Sequence, residues 1–206
     1  HIGMWWGAVV GAILLVSARH NATPVVVAAL MVVASVQWSQ RSDTLRDPRR
    51  LARAEAFVEA QVWAKANTVE GSLFLLDPAQ GYGWRDISQR PSFGGLRDWL
   101  HTSFIYNTRR SLLDEGIRRA NLFGLDLRSY VGLSLHPSVL AGDMLSNAMR
   151  SNFYTADAAF FHRLAKQDGV DFVVFERRFM SAEAPLPSVY SNEHFVIADA
   201  RGPEDE

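Results

Sequence analysis

The opening forty residues constrain this chain more than anything that follows them. They carry one charged side chain, Arg19, whereas residues 41–206 hold the other 20 basic and all 22 acidic ones. Two apolar runs stand back to back, residues 2–18 (IGMWWGAVVGAILLVSA) and 22–38 (ATPVVVAALMVVASVQW), of 17 residues each. As helices, each would reach about 25 Å at roughly 1.5 Å per residue, against a hydrocarbon core of about 30 Å. Arg19, His20 and Asn21 form the polar break between them, and Pro24 suits the first turn of a new helix. The pattern predicts a transmembrane helical hairpin over residues 1–40. Trp5 and Trp6 open the first run and Trp38 closes the second, which puts three indoles on one membrane interface. A buried hairpin of a soluble protein and a signal peptide are the alternatives. The first rarely runs 17 residues without a charge, and the second lacks its basic leading region here. Because the chain starts at His1, inside apolar sequence, the expectation is the last two spans of a longer protein.

Behind the hairpin, the composition bounds the rest. With 206 residues, 48% hydrophobic and 21% charged, the chain has room for one extramembrane domain, expected over residues 41–200, and a polar tail at 201–206. A net charge of −1 argues against a nucleic-acid partner. The absence of cysteine excludes disulfides, thiolate metal sites and a cysteine nucleophile.

Periodicity predicts a small α/β domain with several flanking helices. A helix is expected over 48–66, with Leu51, Ala54, Phe57, Val58 and Val62 at helical spacing. A buried strand follows at 72–76 (SLFLL), then the turn Asp77-Pro78, then a second strand at 87–93 that Pro91 would push to an edge. Helices are expected over 96–106 and 108–123 (ending at Gly124), over 137–153, and over 155–167 with Thr155 as cap and Gly169 as stop. A strand at 171–175 (DFVVF) and a closing hairpin of 188–190 with 194–198 complete it. The predicted sheet is open and mainly parallel, with an antiparallel edge hairpin.

Chemistry leaves fewer marks. There is no G-x-S-x-G, P-loop, dinucleotide fingerprint or H-E-x-x-H motif. The six histidines are scattered, with no pair at i, i+4, so neither a metal nor a cofactor is implied. Asn21-Ala22-Thr23 matches a glycosylation tripeptide but falls in the hairpin loop, against the bilayer. One segment gathers binding chemistry: Asp77 at the carboxyl end of the first strand, then Gly81, Tyr82, Gly83, Trp84, Arg85 and Arg90. Ligand crevices of α/β sheets lie beyond the carboxyl ends of strands, aromatic rings can stack on sugars, and arginine forks grip phosphate. Asp77, Tyr82, Trp84, Arg85 and Arg90 are therefore the candidate ligand-binding residues. The alternative is a core tryptophan beside arginines that merely solvate a turn. Arg109-Arg110 and Arg118-Arg119 read as a solvated helix face or a face turned to anionic headgroups.

Two strings carry a resemblance. Residues 63–68 (WAKANT), 71–77 (GSLFLLD), the loop 81–85 and Ser88-Gln89-Arg90, together with 171–174 (DFVV) and 189–197 (VYSNEHFVI), are similar to patterns that follow the last span of bacterial polyprenyl-sugar glycosyltransferases and related multi-spanning membrane proteins. Coverage runs over 63–93 and 155–199 and leaves the middle helices unmatched. The resemblance implies a C-terminal extramembrane domain on an inner-membrane protein, with the bilayer and a polyprenyl-phosphate-linked sugar as partners. It implies catalytic acidic residues in an early loop between the first spans, so no catalytic residue is carried over to this chain. It also implies a domain facing away from the cytoplasm. Arg41, Arg46, Arg49, Arg50 and Arg53 after Trp38 point instead to the cytoplasmic side. The extracytoplasmic side is the expectation and the cytoplasmic side its alternative, because the charge rule needs every loop of the parent.

Overall fold

The computed structural model describes residues 47–80, 83–101, 110–130 and 139–202. The hairpin over 1–40, with Trp5, Trp6 and Trp38, lies outside them, as does Tyr82. Among the described residues no helix is long and apolar enough to cross a membrane. The chain divides into two compact units, His1–Ala52 and Arg53–Glu206. The described part of the first is Asp47 and the start of one helix.

The elements run α1 (Pro48–Asn67), β1 (Leu73–Leu76), α2 (Trp84–Ser88), α3 (Leu96–His101), α4 (Arg110–Leu122), α5 (Val139–Thr155), α6 (Ala158–Asp168), β2 (Val170–Glu176), β3 (Ser188–Ser191) and β4 (Phe195–Asp199). The sheet is open, in the order β1-β2-β4-β3. It is mixed rather than mainly parallel: β1 pairs parallel with β2, while β2 with β4 and β4 with β3 are antiparallel. The reason lies at residues 87–93, where a second parallel strand was expected. Trp84–Ser88 coils into a helical turn, closed by the Ser88 hydroxyl on the Trp84 carbonyl at 2.5 Å and by Gln89 at φ 52°. The chain then meets β1 in only one bridge, Phe74 with Ser92. Pro91 has no N–H to extend a ladder; its carbonyl accepts from Phe74 N at 3.0 Å instead.

Strand alternation splits the core into two faces. Phe74, Leu76, Phe172, Val174, Phe195 and Ile197 point to the side covered by α1 and α2. Leu75, Val173, Phe175, Val196 and Ala198 point to the side covered by α3 to α6. Helices on both faces explain why DFVVF is an unbroken apolar run instead of an alternating one.

α1 forms where expected, but of the bulky residues that mark its expected core face only Phe57 packs against the core, on Trp84 and Phe195. Ala56, Ala60, Gln61 and Ala64 are buried, whereas Leu51, Val58 and Val62 are 49%, 41% and 51% exposed. The strands decide this. Phe74, Phe172 and Phe195 already fill the space beneath the helix, so its centre approaches through an alanine stripe at i, i+4, i+8, with Phe57 and Trp63 packing at the sides. Buried Gln61 then accepts from Ile87 N at 3.3 Å, tying α2 to α1.

The start of α6 also differs from expectation. Thr155 ends α5, its hydroxyl bonding the Ser151 carbonyl, and Asp157 caps α6 by accepting from Phe160 N at 2.8 Å. Gly169, at φ 69°, stops the helix as expected. Asp157→Ala is expected to cost about 1 kcal/mol, read as a lower urea midpoint at unchanged slope.

Arg118 and Arg119 are held by protein carboxylates. Arg118 binds Glu115 at 2.8 Å and also meets Asp168, while Arg119 binds Glu115 at 2.6 Å and donates to the Phe93 carbonyl at 2.6 Å. The Glu115 carboxyl is lowered to about 2, first by the Arg118 hydrogen bond and then by Arg119, against the effect of burial. A folded-state value below the unfolded one means stabilisation that is complete above about pH 4.3. It drains away as the pH falls toward 2. Glu115 is 39% exposed, so the effect is modest and salt-sensitive. Urea midpoints measured from pH 6 to pH 2 are expected to fall less steeply in Glu115→Gln than in the parent.

Candidate functional site

β1 and β2 lie side by side and parallel, and each delivers a carboxylate at its carboxyl end: Asp77 directly after Leu76, and Glu176 as the last residue of β2. Both are buried, at 2% and 3% exposure. Buried charges require partners, and arginines supply them. Asp77 accepts from Arg150 Nε at 2.7 Å through one oxygen and from Ala79 N at 2.8 Å through the other. Glu176 takes a two-pronged bond from Arg53, 2.5 Å from Nε and 2.8 Å from Nη2, and a further contact from Arg178 Nε at 2.5 Å. The Arg53 guanidinium is thereby raised above its ordinary value, chiefly by its hydrogen bond to Glu176.

Two further side chains fix these groups. The Tyr154 hydroxyl accepts from Glu176 N at 3.0 Å, and burial, followed by the charge of Asp77, pushes the phenol well above its usual range. Phe179 lies under two guanidinium groups, with Arg150 at 4.2 Å and Arg178 at 4.4 Å from its ring centre. Three arginines thus face two carboxylates at this end of the sheet.

Two cavities open here. One, of about 330 Å³, is lined by Arg53, Ala54, Phe57, Ala79, Gln80, Arg150 and Glu176. The other, of about 160 Å³, has Asp77, Gln80, Trp84, Arg85, Arg97 and Asp98 among its walls. Gln80 lines both. The turn at Gly94-Gly95 closes the smaller one against the 77–80 loop, with Leu96 N donating to the Pro78 carbonyl at 2.8 Å. A Cβ on Gly95 would stand 2.8 Å from that same carbonyl oxygen, so glycine is required for the approach.

Of the residues singled out by sequence, Asp77, Trp84 and Arg85 come together on the wall of the smaller cavity. Trp84 is 4% exposed, packed on Phe74 with ring centres 4.9 Å apart, so its ring faces are core surface and not a platform for a sugar. Among the described residues its indole N–H has no hydrogen-bond partner. Arg85 bonds the Ser92 hydroxyl and carbonyl, each at 3.2 Å. Arg90 sits apart. Its guanidinium donates to the carbonyls of Lys65 and Thr68, both at 2.7 Å, and to the Thr68 hydroxyl at 3.1 Å, closing the carboxyl end of α1.

Sequence reasoning missed Arg53, Arg150, Tyr154, Glu176 and Arg178. Glu176 had a legible signal, since an acidic residue ends the apolar run VDFVVFE as Asp77 ends SLFLLD. Arg53 and Arg150 are 123 and 73 residues from the carboxylates they bind, Glu176 and Asp77 respectively, and had none. Among the described residues no group of three or more His, Asp or Glu could hold a metal ion. No protein-family model, curated protein or solved structure matches the chain.

Proposed function

We propose that this chain is the C-terminal extramembrane domain, with its last two spans, of a polytopic glycosyltransferase-like membrane protein that acts on lipid-linked sugars. In this reading the domain lies on the extracytoplasmic side of the inner membrane, and the catalytic acidic residues belong to an earlier loop of the parent. The observation that carries it is the crevice beyond the carboxyl end of β1, where Asp77, Trp84 and Arg85 share one wall. The sheet supports it as well: the strings that resemble the glycosyltransferase pattern include residues of all four strands, and the unmatched middle of the chain is helical where described.

The arrangement suits binding more than proton transfer. Both buried carboxylates are committed to guanidinium groups, so they serve to hold the crevice's shape more than to carry a proton. That same commitment favours the second reading, a membrane-anchored binding or scaffold domain without chemistry of its own. The two separate on the parent's first large loop, which must hold an acidic residue for the enzyme reading to stand.

A direct test uses the full chain in detergent, titrated with a polyprenyl-phosphate-linked hexose and with the bare polyprenol, and read by native mass spectrometry. The sugar-phosphate lipid is expected to bind and the polyprenol not. Arg85→Ala is expected to weaken binding by about tenfold, the equivalent of one charge-assisted bond. Equal binding of both lipids, with no effect of Arg85→Ala, removes the proposal.

A further inference from the structure

We propose that the larger crevice, between α1, the loop after β1, α5 and the end of β2, is a binding site for a phosphate group, with Arg53 and Arg150 as its two jaws and Gln80 as a third donor. Each guanidinium group is held along one edge by a buried carboxylate. Arg150 gives Nε to Asp77 and lies on Phe179, which fixes its plane. Among the described residues neither of its Nη atoms has an acceptor. Arg53 gives Nε and Nη2 to Glu176 and, among the same residues, keeps Nη1 without one. Both line the same cavity of about 330 Å³. A guanidinium pinned along one edge by a carboxylate presents its other edge already oriented, so little side-chain freedom remains to be lost when an anion arrives.

Charge selects the ligand. The walls carry two arginines and one glutamate, and with their partners Arg178 and Asp77 the group is three cations against two carboxylates. A cation would meet two guanidinium groups, and a neutral group would leave their donors unfilled. A tetrahedral oxyanion has enough acceptor oxygens to meet both forks and the Gln80 amide at once. Phe57, Ala54 and Ala79 make the remaining wall apolar.

The phosphate has two sources, a free phosphate or phosphate ester and the headgroup of a polyprenyl phosphate. Only the second assignment rests on the lipid-linked-sugar reading; the clamp itself does not. The test uses the full chain in a non-ionic detergent, with inorganic phosphate and polyprenyl monophosphate as separate probes, measured by calorimetry and ³¹P line broadening. Inorganic phosphate is expected to bind and to be displaced by added salt. Arg150→Lys and Arg53→Lys retain a cation beside each carboxylate, so the fold is kept, but remove the spare Nη donors. Each is expected to weaken phosphate binding by about tenfold or more, and Gln80→Ala by less. Polyprenyl monophosphate binding about tenfold more tightly than inorganic phosphate assigns the site to a lipid headgroup; equal affinity assigns it to a free phosphate. Absence of binding by both probes, or lysine variants that bind as the parent does, overturns the clamp. Either result leaves the Arg85-dependent binding of the sugar lipid to be judged on its own titration.

Discussion

Phe153→Ala is expected to destabilise the domain by about 3–5 kcal/mol, lowering the melting temperature by roughly 10 °C. Phe153 is fully buried on α5. Its ring meets Phe175 of β2 at 5.3 Å, Phe161 of α6 at 5.7 Å and Phe123 beyond α4 at 6.2 Å. It therefore joins three helical elements to the sheet, and none of them can collapse into the vacated space without moving the others. The loss combines the transfer free energy of the ring with the cost of the cavity. Trp99, stacked on Phe123 with centres 5.8 Å apart, reports the change through its fluorescence. Phe153→Leu, which keeps most of the volume, is expected to lose less than half as much. If the alanine variant melts within a degree or two of the parent, this aromatic cluster does not hold the layer together.

Arg150→Ala is expected to be nearly as costly, at about 3–5 kcal/mol, for an electrostatic reason. Asp77 is 2% exposed, and without Arg150 its carboxylate keeps only the Ala79 N–H. Breaking one partner of a buried pair leaves a desolvated charge, whereas replacing both by apolar groups of similar volume removes the penalty. The double variant Asp77→Leu with Arg150→Met is therefore expected to be more stable than Arg150→Ala alone. Denaturant unfolding of the parent, the single variants and the double variant checks the sign of this coupling. Strict additivity would mean that the Asp77–Arg150 contact contributes nothing specific.

The comparison of sequence with structure turns on a few residues. Gly169 and Gly124 were legible as helix stops because each takes a positive φ that glycine tolerates. The hairpin of β3 and β4 was legible because Asn192 supplies its own turn chemistry, its side-chain oxygen accepting from His194 N and Phe195 N. These are local effects, fixed within three residues. Of the failures, the first is equally local and the second is not. Residues 87–93 read as a strand by composition, yet the Ser88 back-bond and Pro91 took them out of the sheet. Leu51, Val58 and Val62 read as the core face of α1, yet the aromatic strands beneath leave room at the helix centre for the alanine stripe instead.

The amino-acid sequence by itself determined the apolar character of the first forty residues, the presence of most helices and strands, and the acidic residue that ends β1. Hydrophobic periodicity, turn chemistry and capping act over a few residues and leave their mark in the order of the letters. The tertiary structure alone decided which face of α1 is buried, that the sheet is mixed, and which arginines meet Asp77 and Glu176. Those outcomes depend on volumes and charges brought together from segments as far apart as Arg53 and Glu176. A buried carboxylate selects its partner by proximity in the folded chain, and proximity of that kind is not written in spacing.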